Sequence, residues 1–266
     1  MKRLGVVVAV FGRSTYLQYV ALFQWATIRG YVSYKVLLPI TQILFFVQLG
    51  VFASGRANGL YYALGNALQL TAQAGIYGVI ATVANERQNG TLPILLASPA
   101  NRLVTFLSRA SVNVIDGIVT VIVGLGITVV IFGLDLHRAN LPLLGLCVVL
   151  ISLTTAGLGL LFGSLGLITR DAITIANVVY YLLLILCGVN FPISRLPSAV
   201  QVVSYGLPLT RGVEAARQAV AGASITQIGG LLAGELFVGI VYALAGYMLF
   251  RLMEAYSRRG GLQEAS

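Results

Sequence analysis

Six long apolar stretches separated by shorter polar ones organise this chain. They cover residues 34–54, 60–84, 103–132, 141–168, 172–189 and 226–250. A helix needs about 20 predominantly apolar residues to cross the hydrocarbon layer of a bilayer, and each stretch is near or above that length. The pattern predicts an all-α integral membrane protein with six transmembrane helices and both chain ends on one side. The fifth stretch is the shortest, and Asn190, Phe191 and Pro192 prolong it irregularly. Ahead of the first, residues 14–25 mix Tyr16, Tyr19, Phe23 and Trp25 with scattered polar groups. That mixture suits an N-terminal interfacial helix in the headgroup layer. Because its apolar face is poorly segregated, a plain cytoplasmic extension of the first span fits equally well.

Two interruptions carry more information than the spans. Between the second and third stretches, Asn89-Gly90 is a turn signal, Thr91 can cap a new helix, Pro93 falls in that helix's first turn and Pro99 ends it. The helix expected over about 91–98 is roughly 10 Å long and puts Leu92, Leu95 and Leu96 on one side. It is too short to be stable alone. Held between two spans, its apolar ridge can seat in a groove on a partner; as an ordinary loop, its leucines would dip into the headgroups. The second interruption, residues 190–222, places Pro192, Pro197 and Pro208 in or beside apolar runs of about ten residues, which excludes a full crossing. Short re-entrant or surface helices are expected instead, and Glu214, three residues from both Arg211 and Arg217, suggests local ion pairs.

Composition agrees with lipid as the main solvent. The 266 residues are 58% hydrophobic and 9% charged, with a mean hydropathy of +0.91, against roughly 25% charged residues in soluble domains. The net charge of +9 does not point to nucleic acid, because the basic residues lie between the apolar runs and form no patch. They orient the chain. With cytoplasmic termini, Arg56, Arg138, Arg195, Arg211 and Arg217 fall outside and the other twelve of the 17 basic residues fall inside, the bias expected of a multi-pass protein of the cell membrane. The chain then divides into a cytoplasmic or interfacial segment 1–33, a six-helix membrane domain 34–254 and a cytoplasmic tail 255–266. Met1-Lys2-Arg3 followed by an apolar run imitates a signal peptide, but Arg13 and Tyr16 stand where small cleavage-site residues belong, so retention is expected.

Candidate chemistry is sparse. Asp116 in the third run and Glu235 in the sixth are acids expected within the membrane, where an unpartnered charge is costly. Each either lines a pathway or has a structural role. Gln42, Gln48, Asn66, Gln69, Gln73 and Asn113 form either a polar strip in a translocation path or hydrogen bonds between helices. Gly159 with Gly163, and Gly230 with Gly234, would let helices approach closely. Cys147, Cys187 and the single His137 supply neither a disulfide framework nor a metal site, and no catalytic constellation is visible. The chain has two lysines, Lys2 and Lys35, and neither follows a glycine, so no G-x-x-x-x-G-K-[ST] phosphate loop exists.

The segment Glu86-Arg87-Gln88-Asn89-Gly90-Thr91-Leu92-Pro93-Ile94-Leu95-Leu96-Ala97-Ser98-Pro99 resembles the E-R-x-x-G-T-L-x-x-L-L-x-x-P segment between the second and third spans of ABC-2 type permeases. Phe191-Pro192 near the end of the fifth run and Pro208-Leu209-Thr210 before a Glu214-x-x-Arg217 pattern are similar to the same family. The resemblance implies a permease subunit of an ATP-driven ABC exporter of drugs, antibiotics, peptides, lipids or glycans. It further implies a coupling helix that docks on a separate ATPase. Glu86 and Arg87 would then be polar contacts, Gly90 the bend, Thr91 the cap and Leu92, Leu95 and Leu96 the inserted ridge. Pro93 departs from the polar residue often found there. Phe191, Pro192, Pro197 and Pro208 would belong to re-entrant helices narrowing the outer exit, and Asp116, Glu235, Gln69 and Gln73 are candidate pathway residues. Two copies of the ATPase, carrying ATP and Mg, and a second permease in a homodimer or heterodimer are the implied partners, besides membrane lipid. No cofactor is expected on this chain. An ion-gradient-driven secondary transporter or channel is the alternative, which paired intramembrane charges or an internal repeat would favour.

Overall fold

A computed structural model describes residues 11–13, 15–16, 20, 28–88, 90, 102–167, 169 and 171–263. Eight helices account for most of them, and no strand occurs among the described residues. Helix α1 covers Ile28–Ser54 and α2 Gly59–Gln88, joined through Gly55, whose φ of 88° needs a glycine, and a 3-10 turn at Arg56–Asn58. Helix α3 is Arg102–Phe132 and stops at Gly133 (φ 69°), which turns its own N–H back to the Val129 carbonyl. Helix α4, Leu141–Gly163, starts where Asn140 Oδ1 accepts from the Leu143 amide and Pro142 occupies the first turn. A 3-10 turn, Ser164–Leu167, prolongs it. Helix α5 is Ala172–Leu186, α6 Ser198–Gly206, α7 Thr210–Val220 and α8 Ile225–Gln263.

Every predicted apolar run is therefore helical, but the runs are not equivalent. Four stretches, Arg29–Ser54, Ser111–Phe132, Leu141–Gly166 and Ile225–Met253, are long and apolar enough to cross a membrane. Helix α5, at 15 residues, is shorter than the run that announced it. It ends before Val189 because Gly188 adopts φ 70° and turns the chain. Helix α2 has 30 residues but carries Asn66, Gln69, Thr71, Gln73 and Thr82, and does not reach the apolarity of the other four. Its position resolves the difficulty. It packs against α1, α3, α4 and α5, so its polar groups are enclosed by protein. Helix α4 is the second hub, contacting α2, α7 and α8.

Small residues set the closest approaches. A Cβ added at Gly159 of α4 would lie 2.5 Å from the Gly75 carbonyl oxygen of α2, and one at Gly239 of α8 would lie 2.3 Å from Thr154 Cγ2 of α4. Gly163, the partner of Gly159 in the predicted pair, faces Ile80 Cα at 3.4 Å. The second predicted pair behaves differently: Gly230 faces open space, and Gly234 packs on the side chain of Arg211. Gly159→Ala is therefore expected to lower the melting temperature of the solubilised protein, since overpacking costs about 1–3 kcal/mol. Gly230→Ala is expected to leave it unchanged or slightly raised, as Ala is the better helix former. A drop for Gly230→Ala equal to that for Gly159→Ala would contradict this packing.

Candidate polar face and α7 segment

The outward surfaces of the long apolar helices divide into two kinds. Within the candidate spans, α3 exposes Ile115, Val119, Ile122, Val130 and Ile131, and α8 exposes Leu236, Phe237, Ile240, Val241, Leu244 and Met248, together with the polar Thr226 and Gln227 at its start and Tyr247. Such faces suit lipid. Helices α1 and α5 instead expose Thr41, Gln48, Thr174, Asn177 and Tyr181 among their apolar residues. Between them the otherwise buried α2 is half-open along Gln73, Ala74, Tyr77, Gly78 and Ala81, one stripe at helical spacing. Hydrogen bonds knit the three helices: Gln42 Nε2 donates to Tyr180 Oη at 2.8 Å, and the Tyr77 hydroxyl donates to Asn177 Oδ1. The rings of Tyr77 and Tyr180 stack edge to face at 5.6 Å. Polar groups turned outward within a hydrocarbon layer need water or another protein as their solvent.

A cavity of about 490 Å³ opens beside this face, between α1, α2 and α3, with Lys35, Gln73, Tyr77, Asn113, Asp116 and Thr120 in its wall. Lys35 and Asp116 form an ion pair across α1 and α3. The ammonium also donates to the Asp116 carbonyl at 3.2 Å and to Thr120 Oγ1, which occupies its three N–H groups. The other Asp116 carboxylate oxygen accepts from the Tyr31 hydroxyl. Both charges are thus matched within the protein, and what the cavity offers to an occupant is carboxamide, phenol and aliphatic surface.

The segment between α5 and α8 is a second constellation. Glu235 of α8 is fully buried. Its Oε1 accepts from Thr154 Oγ1 of α4 and from the Leu209 amide, both at 2.7 Å, and its Oε2 accepts from the Gly212 amide at 3.1 Å. Those amides open α7, so a carboxylate from another helix caps it, with the charge sign that a helix N-terminus favours. At the far end of α7, Arg217 Nη1 donates to the Gly188 carbonyl at 2.7 Å, while Nη2 donates to those of Val189 (3.0 Å) and Tyr61 (3.1 Å). The guanidinium lies 3.5 Å from the centroid of the Tyr61 ring. Burial lowers the Arg217 pKa to about 10, which leaves it cationic at neutral pH. The expected local ion pairs of Glu214 are not formed. Arg217 takes backbone carbonyls instead, and Arg211 donates to the Tyr205 carbonyl and stacks on its ring. The Gly188 and Val189 carbonyls lie beyond the end of α5 and need a donor.

The predicted site residues fall into separate groups. Asp116 and Gln73 meet in the wall of the cavity between α1, α2 and α3. Gln69, one turn away, is fully buried with neither amide atom hydrogen-bonded, and Glu235 sits at the start of α7. Pro192 lines a second cavity, of about 240 Å³, with Tyr61, Cys187, Glu214 and Arg217. Phe191 is half-buried beside it; Pro197 is exposed before α6, and Pro208 is buried with its carbonyl accepting from Cys187 Sγ at 3.5 Å. Glu86 and Arg87 belong to the last turn of α2, and Gly90 has φ 68°. Thr91, Leu92, Leu95, Leu96 and the short helix expected over 91–98 lie outside the described residues, as does most of the expected interfacial helix. Sequence reasoning missed Asn177, Tyr180 and Tyr181, whose i, i+3, i+4 spacing inside an apolar run was a visible signal, and Lys35 as the counter-ion of Asp116.

Removing one member of the Lys35–Asp116 pair strands a charge. Asp116→Leu alone is expected to destabilise by roughly 3 kcal/mol, and Lys35→Met with Asp116→Leu by less than the sum of the two single changes. A double-mutant cycle on unfolding of the solubilised protein measures the coupling; simple additivity would show that the pair is not formed.

Comparison with known proteins agrees with this architecture. The family model for the ABC-2 type transporter matches residues 10–221, most of the chain. No curated protein matches it. An all-helical multi-pass chain whose central polar helix is wrapped by apolar ones thus carries that family's signature over most of its length, and it belongs to the ABC-2 type transporter family.

Proposed function

We propose that this chain is the permease half of an ATP-driven exporter that moves a hydrophobic or amphipathic cargo, such as a drug, antibiotic, peptide, lipid or glycan, out of the cytoplasm or the inner leaflet. The observation that carries this reading is the polar face of α1, α2 and α5, set against the mostly aliphatic outward faces of α3 and α8. A second permease, identical or related, covers that face, and cargo passes between the two halves. With the charges of Lys35 and Asp116 matched internally, the walls favour uncharged or internally neutralised polar groups together with apolar bodies.

In this reading α1 to α5 and α8 are six crossings with both termini cytoplasmic, and α6 and α7 are re-entrant outer helices. Residues 91–98 form the coupling helix that seats Leu92, Leu95 and Leu96 on an ATPase subunit, with Glu86 and Arg87 beside it. Two ATPase copies bind ATP and Mg²⁺; this chain hydrolyses nothing. Support for the coupling route comes from α2, which ends at Gln88 just ahead of that segment and touches α1, α3, α4 and α5. A displacement of its cytoplasmic end reaches every wall of the polar face at once.

The Lys35–Asp116 pair within the candidate spans favours a second reading, a transporter driven by an ion gradient. Purification separates the two. An ATPase is expected to co-purify with the wild-type chain and to be lost when Leu95 and Leu96 are both changed to Glu, whereas full transport by the chain without any ATPase would establish the ion-driven mechanism. For the face itself, Asn177→Cys is expected to give a cross-linked permease dimer in membranes and Phe237→Cys on α8 to give none. The reverse pattern would move the contact to the α8 side.

A further inference from the structure

We infer that Glu235 is a positioning residue by which the last long helix holds the outer end of the permease, and that α7 is the strut it holds. The inference rests on the reading of residues 190–222 as the outer end of the pathway. Three facts argue against a pathway role for this acid. Its side chain is fully buried, it lines neither the cavity between α1, α2 and α3 nor the second one, and its two oxygens are occupied by three donors from α4 and the start of α7.

The local backbone is built around the carboxylate. Leu209, fully buried, adopts φ 84°, a conformation that L side chains rarely take, and in doing so presents its amide to Glu235. Gly212 leaves room for the approach: a Cβ there would come 2.3 Å from Ile151 Cγ1 and 3.4 Å from Glu235 Cδ. The opposite end of α7 is fastened independently. Arg217 grips the carbonyls of Gly188 and Val189 after α5 and of Tyr61 in α2, and the Asn140 amide ahead of α4 donates to Ala219 O at 2.9 Å. Helix α7 therefore links α8 and α4 on one side to α5 and α2 on the other, and a shift of α8 is passed through Glu235 to the outer ends of the helices that carry the polar face.

Cys187 is a built-in reporter. It is fully buried behind the turn before α7, where its thiol donates to Pro208 O. The test uses full-length protein carrying Cys147→Ser, in intact cells, with a membrane-impermeant maleimide applied from outside. Labelling of Cys187 is expected to be slow in this parent. Glu235→Gln and Glu235→Ala are expected to accelerate it roughly tenfold to a hundredfold, as the loss of charge-assisted hydrogen bonds raises the population of the open segment. Thr154→Val, which removes one donor and keeps the acid, should fall between. Arg217→Lys should accelerate labelling as well, and adding Glu235→Gln should accelerate it further, because the two residues fasten opposite ends of one strut; an acid that does not hold the strut would leave the Arg217→Lys rate unchanged. Labelling at the parent rate in Glu235→Gln and Glu235→Ala, with normal amounts of both in the membrane, overturns the proposal. Should neither variant reach the membrane, an unchanged rate in Thr154→Val overturns it. Labelling needs no ATPase or cargo, so failure of the exporter reading shows separately. A speed-up confined to inverted vesicles supports the strut and overturns the assigned orientation.

Discussion

The constraint on which the rest of this structure depends is that α2 cannot face lipid. Its buried Asn66, Gln69, Thr71 and Thr82 would each be costly against hydrocarbon. Thr71 and Thr82 bond to carbonyls within their own helix, and Asn113 of α3 reaches across to Gly78 O at 3.0 Å. What remains is handled by enclosure: α1, α3, α4 and α5 surround α2, and glycines at the α2–α4 contact let the backbones meet. The apolar helices can turn long aliphatic faces to the bilayer because a polar helix occupies the middle.

Where α5 stops and α7 begins, the organising interaction changes from enclosure to charge. The chain leaves α5 at Gly188 with carbonyls that no helix satisfies, and it enters α7 with amides that no preceding turn satisfies. One guanidinium meets the first set and one carboxylate the second. Hydrogen bonds to a charged group contribute about 1.5–3 kcal/mol, roughly twice a neutral one. Two side chains thus hold a segment of short helices that could not be stable alone. The ion pair of Lys35 and Asp116 has another role: it joins α1 to α3 beside the cavity and leaves the surrounding surface without net charge.

Much of this was legible in the sequence, because a 20-residue apolar run in lipid has few options but to be a helix. The ends were readable too, through Asn140 and Pro142 before α4 and the prolines from 192 to 208. Helix phase and partners were not. Gln69 and Gln73 differ by one turn, yet one is sealed inside and the other faces a cavity, a distinction that depends on how α1 and α5 lean on α2. Lys35 and Asp116 are 81 positions apart, and nothing local to either announces the other. For Glu235 the sequence left a pathway role and a structural role both open, because besides Thr154 its partners are backbone amides 23 and 26 residues away, and backbone amides leave no mark in a sequence. Glu214 misled more directly. Its spacing from two arginines invited ion pairs, and the unsatisfied carbonyls nearby were the stronger claim on both.

The length of α5 has a consequence for the membrane as well as for the protein. Fifteen residues rise about 22 Å, well short of a hydrocarbon layer of about 30 Å. In the six-crossing reading, where α5 meets the bilayer the lipid compresses, or polar headgroups are drawn inward toward Asp171 at one end and the turn at Gly188 at the other. Under that reading an amphiphile entering beside α5 has a shorter apolar distance to travel than beside the longer helices.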